Sequence, residues 1–203
     1  MGILNQLAVD CHAANQHWWY NPATGERLVR NKGEMLMLFV SEVAEAMEGE
    51  RKGLADDKLS HRRMAEVELA DVLIRLFDYA GGWAYDLDTG MCNVLGSNCY
   101  ERVTSLYKLS RECFMRHEDA PDNRAAILFL IVKRIVAVGD KELALASKRE
   151  IAFALARVVE TVCAYACAFG YDLDGAVAEK RAFNAVRADH KAEARLAAGG
   201  KAF

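Results

Sequence analysis

Proline is almost missing from this chain. Only Pro22 and Pro121 occur among 203 residues, and each falls between strongly periodic segments, where a fixed φ and a missing N–H do least harm. Long helices are therefore permitted over most of the sequence. Neither charge sign dominates: the formal net charge is −3, which gives little support to a diffuse nucleic-acid or anionic-membrane surface. No run reaches the roughly 18 uncharged apolar residues of a membrane span, and the opening segment lacks the charged-then-apolar pattern of a signal peptide. The expectation is a soluble protein of the cytoplasm, with neither membrane nor nucleic acid as a partner. Motifs built on sulfur or imidazole are lacking too. The six cysteines show no C-x-x-C spacing, and Cys163 and Cys167, which share a helix face, have no histidine pair to complete a zinc site, so reduced, buried thiols are expected. None of the five histidines stands three residues after a glutamate, as a di-iron carboxylate bundle requires.

What is present is helical periodicity. Leu36, Phe39, Val40, Val43 and Met47 recur at the three-to-four spacing of one buried stripe, predicting a helix from Gly33 to about Arg51. A second is predicted from about Ser60, its N-cap, to Tyr85, with Val67, Val72, Leu73, Leu76, Phe77, Ala80 and Trp83 inward and a bend or early end at Gly81-Gly82. Further helical patterns cover approximately 3–18, 100–117, 122–138, 141–170 and 173–189. No segment shows a period-two strand, and the fold class is all-α.

An internal echo runs through these helices. Leu69-Ala70-Asp71-Val72-Leu73 to Gly82-Trp83-Ala84-Tyr85-Asp86-Leu87-Asp88 is matched, 86 residues later, by Leu155-Ala156-Arg157-Val158-Val159 to Ala168-Phe169-Gly170-Tyr171-Asp172-Leu173-Asp174. Upstream, Met37-Leu38-Phe39-Val40 is echoed by Ile127-Leu128-Phe129-Leu130 at an offset of 90. A tandem-duplicated helical unit, residues 1–98 and 99–203, explains both matches.

The chemistry-bearing pattern lies in the first copy. Glu42 and Glu45 stand three residues apart, neighbours on one helix face, and Glu68 and Asp71 do the same on the next helix. If the two helices pack antiparallel, the four acids converge, and in a partly desolvated cleft they would repel one another unless a hard divalent cation, Mg²⁺ or Mn²⁺, lies between them. Apolar neighbours flank Glu68 and Asp71, and only Asp71 has a basic residue four positions on, Arg75. At the offsets above, Glu42, Glu45, Glu68 and Asp71 fall on Val132, Ile135, Ala154 and Arg157, so the second copy has lost the acids. Trp18 and Trp19, beside Tyr20, could stack on a base or pack under a loop, and Arg30 and Lys32 could meet phosphates or lie solvated.

This four-acid spacing resembles the metal motif of the all-α nucleoside triphosphate pyrophosphatases, the superfamily of MazG proteins and dimeric dUTPases. The words around it, Asn31-Lys32-Gly33-Glu34-Met35-Leu36, Glu45-Ala46-Met47-Glu48-Gly49-Glu50-Arg51-Lys52 and the tail Lys180-Arg181-Ala182-Phe183-Asn184-Ala185-Val186-Arg187-Ala188-Asp189-His190, are similar to MazG-like proteins of phages and bacteria. The resemblance implies Mg²⁺-dependent cleavage of a (d)NTP to (d)NMP and pyrophosphate, with Glu42, Glu45, Glu68 and Asp71 as ligands and Glu45 also orienting or deprotonating the water. It implies a phosphate clamp of Lys180 and Asn184, with Arg187 one turn further; an ordinary charged helix end is the alternative. Since Val94 stands where Lys180 would fall in the first copy, the expectation is a fused pseudodimer with one working site, monomeric or further assembled, in the host cytoplasm if phage-encoded. Two readings stay open beside it: a dUTPase, and a nucleotide-binding scaffold or sensor without efficient turnover.

Overall fold

The computed structural model describes residues 1–115, 123–187 and 192–197; Pro121 and His190 lie outside them. Among these residues the chain is all-α, with two isolated antiparallel bridges, Tyr20–Arg27 and Ala55–Arg63, and no strand. The fold is organised around two central helices. The first, α3 (Met64–Trp83), is buried without interruption from Ala65 to Ile74 and again from Leu76 to Ala80. Packed on it are α1 (Ile3–Asn15), α2 (Lys32–Lys52) and α9 (Leu173–Val186). The second, α8 (Lys148–Phe169), is covered by α4 (Leu87–Leu95), α6 (Leu106–Phe114) and α7 (Arg124–Leu143). Two short helices, α5 (Ser97–Tyr100) and α10 (Ala192–Leu196), complete the described chain. By length and hydropathy α8 is apolar enough to cross a membrane, but 78% of that window is buried in the bundle, and its internal charges Arg157 and Glu160 pair with each other at 2.6 Å.

The helix ends follow from local chemistry. Asn31 caps α2 by accepting from the Glu34 N–H, and Asn123 caps α7 by accepting from the Ala126 N–H. Ser147 and Glu150 form a reciprocal capping box at α8. Gly53 and Gly170 end α2 and α8 at φ of 64° and 72°, where a Cβ would be strained.

The halves bind each other through contacts that recur with the partners exchanged. Glu142, at the end of α7, accepts from Tyr79 (2.5 Å) and Tyr85 (2.6 Å) and pairs with Lys32 at the start of α2. Glu50, at the end of α2, accepts from Tyr165 (2.5 Å) and Tyr171 (2.6 Å) and pairs with Arg124 at the start of α7. Burial would raise Glu142 and Glu50, yet the phenol and cation donors hold both carboxyls below their usual range. Asp88 of α4 accepts from the N–H groups of Gly2, Leu4 and Asn5 at the α1 terminus, and Asp174 of α9 accepts from Leu106 and Tyr107 at the α6 terminus.

These contacts correct part of the sequence alignment. Tyr79 and Tyr165 do stand 86 residues apart, but Asn31 matches Asn123 and Glu50 matches Glu142, an offset of 92 rather than 90 for the α2 and α7 pair. Matched through these contacts, Glu42 and Glu45 fall on Arg134 and Ala137 instead of Val132 and Ile135. A short apolar tetrapeptide cannot fix a helical register; caps and ion pairs can.

Several boundaries also differ. Ser60 is no cap: the loop before α3 closes through the Ala55–Arg63 bridge and the Asp56 carboxylate, which accepts from the Lys58 and Leu59 N–H groups, so α3 begins at Met64. The helix does end early, at Trp83 just past Gly81 and Gly82, with Ala84 left-handed behind it; a Cβ on these glycines would fall 2.5 Å from the Ala8 carbonyl oxygen and 2.2 Å from the Trp19 ring, so they also let α1 and Trp19 come close. The helix expected over 100–117 is α6, which begins only after the Ser105 cap; α5 ends at Tyr100, where that segment starts, and residues 116 and 117 lie outside the described ones. The 122–138 and 141–170 segments are redrawn, α7 running on to Leu143 and α8 starting only at Lys148, with Leu145 at φ 52° in the turn between. Helix α4 was not expected at all.

Gly90 marks the tightest crossing of α4 on α8, since a Cβ there would lie 2.5 Å from the Ala152 carbonyl oxygen. Gly90→Ala should lower stability by about 1–3 kcal/mol, the usual cost of overpacking and far from cheap because backbone must move, read as a reduced urea midpoint with an unchanged m-value.

Candidate metal centre

α2 and α3 run side by side, and each presents acids to the other. Glu42, Glu68 and Asp71, all buried, each place one carboxylate oxygen so that the three lie within 4.8 Å of one another. They are buried because α3 is enclosed on nearly every side, leaving Glu68 and Asp71 little contact with bulk water. Glu45 lies one turn along α2 from Glu42 and is exposed, outside the converging three. It still feels the cluster: partial burial first, then Glu42 and Asp71, raise its carboxyl above the usual range against the opposing pull of Lys180.

The charges of this cluster are compensated from three directions. Arg75 crosses from α3 to Glu42, its Nε at 2.8 Å and Nη2 at 2.7 Å from Oε1. Its sequence neighbour at i−4, Asp71, instead receives Lys180 of α9, whose Nζ is 2.9 Å from Oδ2. Glu68 is compensated by a proton. Burial pushes its carboxyl up to about 9, Asp71 and Glu42 adding to the shift against the pull of Lys180, and it shares a hydrogen bond with Glu42. Asp71 is also raised, burial outweighing Lys180. For Lys180 burial alone would depress the ammonium, but Asp71, Glu68 and the buried Asp56 together raise it.

A cavity of about 250 Å³ opens beside the cluster, sharing Asp71 and Arg75 with it. Arg30, Arg187 and Asn184 give it donors, and Trp18, Phe39, Met35, Leu38 and Ile74 an apolar wall. The Asn184 Oδ1 is buried without a hydrogen-bond partner, a spare acceptor facing a ligand-scale space. Trp18 lines this cavity, its ring also meeting the Arg195 guanidinium at 4.4 Å. Trp19 does not: it is 3% exposed, edge-on to His12 and Trp83, and its indole N–H donates to Asp78 at 2.9 Å. Lys32 is engaged with Glu142 at the start of α2, ten residues before Glu42. Of the expected clamp, Asn184 and Arg187 reach the cavity, while Lys180 is 4% exposed and committed to Asp71.

Sequence reading missed Arg75 as the partner of Glu42, the buried Asp56 beneath Lys180, and Asp78 on the cavity floor. An i,i+4 rule assigned Arg75 to Asp71, whereas the interhelical neighbour took it. Comparison of the chain with protein-family models, curated proteins and solved structures finds no match.

Three buried carboxylates from two rigid helices, all oxygen donors and one still carrying its proton, fit a hard divalent cation such as Mg²⁺ or Mn²⁺. The linkage has a definite sign. Glu68 keeps its proton in the folded state up to about pH 9 but loses it near 4.5 when unfolded, so the metal-free protein should lose stability as pH rises between those values. Thermal melts in chelator from pH 5 to 9 should show this slope, and Glu68→Gln should flatten it. Below pH 9, Mg²⁺ binding should release a proton, detected as a buffer-dependent heat in calorimetry.

Proposed function

We propose that this chain is a divalent-metal-dependent nucleoside triphosphate pyrophosphohydrolase of the MazG type. The observation that carries the reading is the joining of two features at Asp71 and Arg75: a buried carboxylate cluster suited to a cation, and a cavity walled by guanidinium groups and an indole, suited to an anion with an aromatic ring. A nucleoside polyphosphate has both chemistries. Glu42, Glu68 and Asp71 would hold Mg²⁺, with Glu45 at the rim; the ion would screen the phosphates and polarise the phosphorus under attack. Glu45, exposed and more basic than a free carboxylate, would orient a water and take its proton as oxygen adds to the α-phosphorus and the bond to the β-phosphate oxygen breaks, leaving NMP and pyrophosphate. Arg187, Arg30 and Asn184 would grip the phosphates, and Trp18 would offer its ring to the base. Lys180 can join the clamp only by leaving Asp71.

The tandem pseudodimer belongs to the same proposal. Its support is the exchanged pair of Tyr-Tyr-cation boxes around Glu142 and Glu50. In the second half, Arg134 and Arg157 stand where Glu42 and Asp71 stand in the first, so one working site per chain is expected, with acids from 1–98 and α9 donors from 99–203. A nucleotide sensor remains the second reading because Arg75 and Lys180 already neutralise part of the cluster without an ion.

Purified protein with Mg²⁺ and a panel of NTPs and dNTPs, dUTP among them, should yield NMP and pyrophosphate. NDP and phosphate would reject the reaction, and tight nucleotide binding without turnover would favour the sensor. Glu42→Gln and Asp71→Asn should each lower kcat by about 10²-fold or more, the scale of losing a preorganised electrostatic contact. Lys180→Ala should change KM, kcat or both; if neither moves, α9 supplies no part of the site.

A further inference from the structure

The cavity runs along α3 away from the acid cluster. Asp71 and Asp78 both line it. Seven residues are close to two whole helical turns, which puts these two carboxylates on one face of α3, about 10 Å apart along its axis. That separation matches the reach of a nucleotide from its α-phosphorus to the far edge of its base.

Asp78 is 6% exposed, and only one of its oxygens is used. Oδ1 takes the Trp19 indole N–H at 2.9 Å and lies 2.8 Å from His12 Nδ1; since a carboxylate only accepts, the imidazole donates there. No described residue bonds Oδ2, and that oxygen is not among the fully buried unpaired atoms, so it opens on the cavity. Arg30, which lines the same cavity, directs its Nη1 to the Trp18 carbonyl at 2.6 Å and forms no ion pair with Asp78 among the described residues. Two donors thus hold the carboxylate still and leave one fixed, anionic acceptor at the end of the cavity away from the cluster.

Such an acceptor discriminates between bases. The exocyclic amino groups of cytosine, adenine and guanine project an N–H toward it. Uracil, thymine and hypoxanthine present carbonyl oxygens on that edge, with the ring N–H set back beside them, and oxygen against carboxylate leaves both unpaired. Asn15 also lines the cavity, one turn along α1 from His12, and its side chain caps no helix. Its amide can turn either end toward the neighbouring ring atom, so it adds affinity without choosing, whereas the fixed oxygen chooses.

We infer that Asp78 is a specificity-determining residue, admitting nucleotides whose base bears an amino group and turning away those whose base bears only carbonyl oxygens. The inference rests on the reading above for the seating of a nucleoside polyphosphate in this cavity, and goes beyond it in naming the base.

Equilibrium binding separates the two. The non-hydrolysable α,β-imido analogues of dCTP and dUTP, titrated into the full chain with Mg²⁺, should differ in Kd by about tenfold or more in favour of the dCTP analogue, the scale of one hydrogen bond to a charged acceptor. The corresponding ATP and ITP analogues should show the same preference for the amino group. Asp78→Asn keeps an oxygen for Trp19 and His12 and turns the open atom into a donor, so it should abolish or reverse both preferences. Equal wild-type affinities within each pair would overturn the inference. So would a preference that Asp78→Asn leaves intact, or no binding of any analogue. The expected preference in binding, with no turnover of dCTP itself, would uphold Asp78 as the selector and reject only the pyrophosphohydrolase reading.

Discussion

Three buried carboxylates where α2 meets α3, with Glu45 at their rim, repel one another, and most of the arrangement around them answers that repulsion. Desolvation makes each negative charge costly, and proximity makes the costs mutual. Three compensations meet it, and they are of different kinds: a proton on Glu68, the Arg75 guanidinium on Glu42 and the Lys180 ammonium on Asp71. Only the last reaches across the molecule. Because Lys180 belongs to α9, Asp71 takes its compensating charge from far along the chain; the packing of α9 on α3 is an electrostatic closure as well as an apolar one. The same closure delivers Asn184 and Arg187 to the cavity one and two turns beyond Lys180. An ion entering the cluster would compete with a lysine and a proton, so metal affinity, pH and the position of α9 are linked quantities.

The contacts between halves behave differently from the contacts of the site. Both aromatic boxes are intact, each with two phenols and a cation on one carboxylate, and both helix termini on Asp88 and Asp174 are kept. Substituting lysine for arginine between the boxes changes little, because each cation lies against the aromatic rings of its own box: Lys32 over Trp83 and Tyr85, Arg124 over Phe169 and Tyr171. The asymmetry falls on the positions that hold charge in the site, where Glu42, Glu68 and Asp71 give way to Arg134, Ala154 and Arg157.

The features legible in the sequence were those encoded by period and local spacing. The α2 stripe, the buried character of α3 and the i,i+3 acid pairs follow from 3.6 residues per turn, and the structure brings Glu42, Glu68 and Asp71 together. Contacts set by a third element were not legible. Gly81 and Gly82 read only as helix breakers because nothing local announces that Ala8 and Trp19 will press against them. Trp18 and Trp19 are identical as letters, and only the turn Gln16–Trp19 decides that the first meets the cavity and the second goes to Asp78. Lys180 read as a free cation on a helix face, since its partner lies more than a hundred residues away. Helix α4 was hidden by its length: nine residues give two turns of pattern, and its best signal was the Asp86 cap, visible only beside its counterpart Asp172.

Under the proposed duplication, the equivalences constrain how one acid cluster could be lost while the other survived. A buried lysine is tolerable beside Asp71 because acids surround it; removing the acids alone would strand an uncompensated charge, at a cost of several kcal/mol. Removing the lysine alone would leave the carboxylates to repel. Under that proposal the two changes go together: α4, which packs on α8, carries Val94 at the position matching Lys180, while α8 carries Ala154 and Arg157 at those matching Glu68 and Asp71. Arg157 is not stranded either, since Glu160 on the next turn pairs with it in a part of α8 where the first half has Ile74. The junction of α2 and α3 thus gathers acids answered partly from α9, while the matching stretch of α7 and α8 gathers guanidinium groups, Arg157 paired with Glu160 and Arg134 with its Nε buried without a hydrogen-bond partner.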